Sequence, residues 1–283
     1  MTVKKVQQWV KVLSGVAVLT VLGLPLYGGV PLNSLQGAGG VAFNPLAYPA
    51  GQNKDAASAT NGGIGSVLSK PQFGVWQVHL GDADVDWSSI GVAETLFDRL
   101  ELSYAYELIA PNGENITKQD VGAKLLLLKE NAGGHAFIPA VSVGAIWKHA
   151  TGVATNIDAA GVDFYAVATK LITQLPWPVL LSGGVLSTPE RVTGVFGADE
   201  DRDTTLFGNI DVLPLSSVAV GFEYKQGAQF DDFKNADYWD AHVAWFANKN
   251  LTLVGAYVNA GDKDSTSKVG LGDGVVVSAQ YAF

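Results

Sequence analysis

The sequence predicts an all-β protein: an antiparallel transmembrane β-barrel of about 12 strands, preceded by an N-terminal plug or latch segment. Three observations predict it. From Phe73 onward, apolar and polar side chains alternate over stretches near the ~9–11 residues that a tilted membrane strand needs. The links between those stretches alternate short and long. Past residue 40, no run of ~18 uncharged apolar residues offers a transmembrane helix. A chain that crosses lipid without helices must close its sheet, because hydrocarbon satisfies no open backbone edge.

Composition agrees and narrows the chemistry. Of 283 residues, 16% are charged, below the ~25% of ordinary soluble domains, and 33 are glycine. The formal net charge of −9 argues against nucleic acid as a partner, since phosphate binding needs clustered lysine and arginine. The absence of cysteine excludes disulfides, thiolate metal sites, a cysteine nucleophile and a lipoprotein anchor.

In chain order, residues 1–32 read as a secretory signal. Lys4, Lys5 and Lys11 are its charged region, and Val12–Leu26 its apolar core. Cleavage is expected between Gly28 and Gln36; the competing reading is an uncleaved anchor. Residues 33–72 form a second zone, with GAGG at 37–40, two prolines in an apolar stretch, and the loop-like run 51–65. Its apolar part needs burial, so the zone is expected at the periplasmic mouth or inside the lumen, as a plug, a latch or a leader.

Residues 73–283 are the barrel. Strands are expected at 73–80, 85–95, 99–108, 119–129, 136–148, 161–173, 177–187, 203–213, 217–225, 237–247, 250–259 and 274–283, of which 161–173 could also be a helix. Short links at 96–98, 131–135, 174–176, 214–216 and 248–249 alternate with long ones at 109–118, 149–160, 188–202, 226–236 and 260–273. This is the pattern of short periplasmic turns and long external loops, with 81–84 the one short exception. Leu100, Leu102, Tyr104 and Tyr106 alternate with Glu101, Ser103, Ala105 and Glu107; Phe222 and Tyr224 alternate with Glu223 and Lys225. Trp76, Trp87, Trp147, Trp177, Trp239 and Trp245 fall near strand ends, as girdle residues would.

The last stretch, GVVVSAQYAF at 274–283, alternates cleanly and ends on Phe283. It resembles the closing strand of bacterial outer-membrane barrels, in which a final Phe is the recognition signal for the barrel-assembly machinery. The stretches GAGGVAFNPLAYPAG (37–51), SKPQFGVWQVHLGDADVDWSSIGVAET (69–95) and RLELSYAYEL (99–108) resemble a proteobacterial envelope family catalogued as domain of unknown function 3034. The resemblance implies an exported envelope protein and supplies no catalytic residue. The 37–45 segment also weakly resembles the start of outer-membrane barrels linked to exopolysaccharide secretion.

Expected pore-lining residues are Glu94, Glu101, Glu107, Lys124, Asp211, Glu223, Lys225, Asp240 and His242, with Lys148 and Asp163 beside them. Acids exceed bases, which in a water-filled pore favours cations or neutral polar solutes. The competing reading is that these groups pair across the lumen and fill it. Acid clusters at 82–86, 199–203, 231–232 and 262–264 are oxygen-rich, but Asp82–Asp86 lacks the glycine and distal glutamate of a calcium loop, so no metal or other cofactor is expected. His79, His135, His149 and His242 fit no hydrolase motif, and no enzyme is expected. The expected surroundings are outer-membrane lipid and lipopolysaccharide. The first functional reading is a narrow channel for small polar or cationic solutes. The second is a non-conducting scaffold, or a component of a polysaccharide or other export assembly.

Overall fold

The computed structural model describes residues 32–51, 67–111, 115–153, 157–190, 201–231 and 234–283; residues 1–31 of the expected signal segment and the run 52–66 lie outside them. Twelve strands follow in order: β1 (Gln72–Leu80), β2 (Val85–Leu96), β3 (Leu100–Pro111), β4 (Ile116–Leu128), β5 (Ala140–Val153), β6 (Ile157–Ile172), β7 (Val179–Pro189), β8 (Arg202–Leu215), β9 (Val218–Lys225), β10 (Tyr238–Phe246), β11 (Leu251–Asn259) and β12 (Asp273–Ala282). Each pairs antiparallel with its sequence neighbours, and β1 pairs with β12 from Gln72↔Ala282 to Leu80↔Gly274. The sheet is therefore closed and has no free edge. An even strand number brings the start of β1 and the end of β12 to the same end, called here the near end.

The ladder is longer than the sequence pattern suggests. The stretch 161–173 is strand, within β6. The expected long links 109–118 and 149–160 are largely strand, because β3 runs to Pro111, β4 begins at Ile116, β5 runs to Val153 and β6 begins at Ile157. Thr117, Lys118, His149 and Thr151, polar residues inside those expected links, are ladder positions: Lys118 pairs with Glu107, His149 with Gln119 and Thr151 with Thr117. Conversely, the expected short turn 131–135 is a broader link from β4 to β5. It holds a 3-10 turn at Ala132–Gly134, entered through Asn131 at φ 58°. Strict short/long alternation thus fails in the first half of the barrel and holds in the second.

Burial follows the two-residue period. On β12, Val275 and Val277 are 57% and 58% exposed, whereas Val276 between them is 1% exposed. The outward face is an apolar belt that includes Ile90, Leu102, Val121, Ile210 and Val243. Aromatics gather toward its two ends. Phe222, Trp239 and Tyr257 are in ring contact at the far end, and Phe73, Phe283 and Tyr281 at the near end. Trp76 and Trp87 depart from the girdle expectation: both lie on the inner face, and Trp76 is buried.

Residues 32–51 occupy the inside of the barrel. Leu32, Leu35 and Ala42 pack with Trp76, Val78, Ile109 and Val276; Ala38 and Ala47 pack with Ile146, Tyr165 and Phe207; Val41 and Leu46 pack with Leu180. The approach is close at Gly37 and Gly91, where a Cβ on Gly91 would lie 3.0 Å from the Gly37 Cα. Gly37 sits at φ +82°, a conformation that disfavours every residue but glycine.

The wall itself uses glycine to seat inward aromatic rings. A Cβ on Gly184 would lie 2.3 Å from the Phe207 ring and 2.5 Å from the Ala166 carbonyl oxygen. Gly184→Val is expected to destabilise the barrel by about 1–3 kcal/mol through overpacking. The check is the urea midpoint of the heat-modifiable band on a gel; an unshifted midpoint contradicts this seating.

Candidate functional site

The site is the lumen with the segment that fills it. Asn33 and Gly51 both sit at the near end, where they bond to Gln280 and Gln72. Between them the segment rises to Phe43 and Asn44, opposite Glu223 on β9, and returns. Within the segment, the backbone N–H groups of Ser34, Leu35, Gly37, Gly40, Val41 and Leu46 find backbone carbonyls of the segment itself, and its remaining peptide groups need partners from the wall.

Glu101 on β3 and Lys124 on β4 supply the central grip. They face each other in register and form an ion pair of 2.8 Å, each 1% exposed. The Glu101 carboxylate accepts the Gly39 N–H at 2.9 Å and the Ala50 N–H at 2.6 Å. The Lys124 ammonium donates to the Gly39 and Tyr48 carbonyls at 2.8 and 3.0 Å. One buried pair thus ties the outgoing and returning limbs together.

Glu223 grips the top, accepting the Phe43 and Asn44 N–H groups at 3.0 and 2.8 Å with its two oxygens. Thr169 accepts the Ala47 N–H, while Ser142 donates to the Ala47 carbonyl. Trp76 Nε1 donates to the Asn33 carbonyl at 2.7 Å, and Ser89 to that of Leu35 at 2.6 Å. The Thr95 hydroxyl donates to the Ala50 carbonyl. On the return limb, the Tyr48 hydroxyl donates to Glu130 at 3.0 Å, and burial together with that carboxylate pushes its phenol well above the usual range.

Two further ionic groups stand on the inner face. His242 on β10 lies between Asp240 at 2.6 Å and Asp211 on β8 at 2.8 Å, with Asn209 donating to the other Asp211 oxygen at 2.7 Å. A ring that meets a carboxylate at both nitrogens donates from both, as an imidazolium does. Toward the far end, Lys118 lies 3.4 Å from Glu107 and 3.8 Å from Asp120, and Lys148 lies 2.6 Å from Asp163.

Of the nine residues expected to line the lumen, Glu101, Glu107, Lys124, Asp211, Glu223, Lys225, Asp240 and His242 project inward. Glu94 does not. It stands on the outer face of β2, opposite the exposed Leu102, while Ala93 and Thr95 face in. The inner face of β2 carries Ser89, Gly91, Ala93 and Thr95, which are small where the segment presses close, so polarity does not mark its two faces. Uncharged Thr169, Ser142, Gln72 and Gln280 hold the segment as well. Their signal was available: they are polar residues at inward parity.

The other histidines stay apart from this site. His79 faces outward and pairs with Asp86 at 2.9 Å. His149 stacks with Trp147, and His135 meets Phe137 in the turn after β4.

Residues 28–271 match the family described as "Protein of unknown function (DUF3034)". No curated protein matches the chain. Among solved structures, it resembles a KdgM porin at 14% identity and a TM-score of 0.50, over 75% of this chain and 99% of that one. A KdgM porin in complex with disordered oligogalacturonate gives 12% and 0.51, over the same shares. The Acinetobacter baumannii outer membrane protein Omp33 gives 9% and 0.47, over 77% and 100%. At these identities the likeness to the KdgM porins is one of fold. With the closed wall and its apolar belt, it identifies an outer-membrane barrel.

Removing one partner of a buried pair strands the other charge, at a cost of about 3–5 kcal/mol. Lys124→Met is therefore expected to loosen the segment and expose its backbone to protease in the refolded barrel. Glu101→Gln combined with Lys124→Met should do so less than Lys124→Met alone, because no charge is left stranded. Limited proteolysis of the three proteins, each checked for the folded band, decides it; equal cleavage contradicts the grip.

Proposed function

The chain belongs to the DUF3034 family, and we propose that it is an outer-membrane channel held shut by its own residues 32–51. The observation that carries this reading is the match between an irregular internal segment and a polar wall. Glu101, Lys124, Glu223, Thr169 and Ser142 bond to its backbone with groups that water serves equally well once the segment leaves. A barrel meant only to be solid gains little from buried ions, because well-packed apolar side chains fill space at no greater cost.

Charge supports small polar or cationic solutes. Glu101, Glu107, Asp120 and Asp163 face inward on β3, β4 and β6, and Asp211, Glu223 and Asp240 on β8 to β10. Against these seven carboxylates stand Lys118, Lys124, Lys148 and Lys225 with the His242 ring. An open lumen so lined draws cations and turns anions back.

A second reading, the sealed scaffold, is favoured by the apolar packing of Leu35, Val41, Leu46 and Ala47 against the wall. Single-channel conductance separates the two. The refolded barrel is expected to be silent with residues 32–51 present and to pass a steady cation-selective current when they are deleted. Silence in both forms, each with a heat-modifiable folded band, sinks the channel and leaves the scaffold.

A further inference from the structure

At the far mouth lies a cavity of about 50 Å³ that the grip on residues 32–51 does not use. Leu35, Gln36 and Phe43 of the internal segment form its floor. Its walls come from β2, β4, β7, β8 and β9, and Gly227, Ala228 and Asn235 border it from the link after β9. Phe43 and Tyr238 meet there with ring centroids 6.2 Å apart.

The polar lining is short of partners. Trp87 Nε1, Thr188 Oγ1 and Thr205 Oγ1 are inaccessible to solvent and make no hydrogen bond among the described residues. Thr188 and Thr205 are 2% and 1% exposed, and both project inward at the far end of the β7–β8 ladder. Lys225 closes β9 on the inner face beside them. Lys118 and Lys148 are each paired with carboxylates, whereas Lys225 forms no ion pair within 4.0 Å among the described residues. The residues that line the cavity thus carry an indole N–H and two hydroxyls without partners, with the half-buried Lys225 beside them.

We propose that this cavity binds a compact oxyanion, the carboxylate or phosphate end of a small solute. A buried donor left unmade costs about 1–3 kcal/mol. An oxyanion offers several lone pairs in a small volume and takes charge-assisted bonds from such groups at once. The rings of Phe43 and Tyr238 supply an apolar part of the lining, against which the rest of the solute packs. Glu107 and Asp120 stand behind Lys118 and repel an anion that moves deeper, so the group stops at the mouth. The inference does not rest on passage through the channel, whose acidic lumen turns anions back; it concerns the mouth alone. Binding is measured on the closed, full-length protein, so its failure and the failure of conductance are distinct results.

The test is tryptophan fluorescence of the refolded full-length protein, titrated at constant ionic strength with sodium acetate, sodium phosphate and glycerol. Trp87→Phe assigns the signal. A saturable change with acetate, phosphate or both, absent with glycerol and absent in Trp87→Phe, is the expected result. Acetate alone identifies a carboxylate-bearing solute, and phosphate alone a phosphate ester. Lys225→Gln should weaken binding about tenfold or more, as the loss of a charge-assisted bond implies. Thr188→Val with Thr205→Val, isosteric and folded by the gel criterion, should weaken it as well. An equal response to glycerol, no saturable response to either anion, or undiminished affinity in Lys225→Gln overturns the site and leaves a hydrated cavity.

Discussion

Every backbone N–H and C=O that faces hydrocarbon must find its partner inside the wall. That constraint closes the sheet, with β1 on β12, and closure creates an interior. Twelve strands enclose more room than their own inward side chains occupy. Trp76, Tyr165 and Phe207 reach inward, yet they pack against Leu35, Ala38 and Ala47 of the internal segment rather than against one another alone. The segment is thus a consequence of the strand number. A wall of this circumference either holds water or something that takes its place, and here it holds twenty residues of its own chain.

The polarity of the inner wall follows from the shape of that filling. A helix or a hairpin would satisfy its own backbone. The segment has two isolated bridges and a few turn bonds, so its remaining peptide groups look to the wall. Carboxylates and a threonine meet its N–H groups; an ammonium, hydroxyls and an indole meet its carbonyls. Glu101 and Lys124 do both at once, and their pairing keeps either charge from being buried alone. The glycines serve the same end, since Gly37 against Gly91 lets backbone lie on backbone.

Much of this was legible in the residues. Period-two alternation marked the strands, with 161–173 open to a helical reading, and the two prolines at 45 and 49 marked an apolar stretch that makes a poor central strand. What escaped notice has physical causes. Lys118, His149 and Thr151 look like loop residues because a membrane strand with a polar partner inside it is as hydrophilic on one face as a loop is on both. Glu94 was placed inward on charge alone, because the small residues of β2 gave no contrast between faces. Trp76 and Trp87 resembled girdle residues, and only parity, read from Gln72 and Val85, turns them inward. The contacts between residues 32–51 and the wall have no sequence period at all. They join positions up to 247 residues apart, as Asn33 and Gln280 are, so no local pattern announces them.

Holding and releasing the segment draw on different terms. Its hydrogen bonds to charged groups are strong as geometry but nearly balanced thermodynamically, since departure lets water serve both sides. The apolar contacts of Leu35, Val41, Leu46 and Ala47 are not replaced by water, so they set most of the closing free energy. The chain adds a third term. Val67 and Ser69 are bonded to the near rim, through Phe97 and Thr95, so a displaced segment stays tethered beside its own opening. The tether makes return intramolecular, with a high effective concentration. Salt or acid acting on Glu101, Lys124 and Glu223 therefore removes the specificity of seating before it removes the seat. Opening that lasts requires something that takes up the apolar face of the segment, and that face is buried until the segment has already moved.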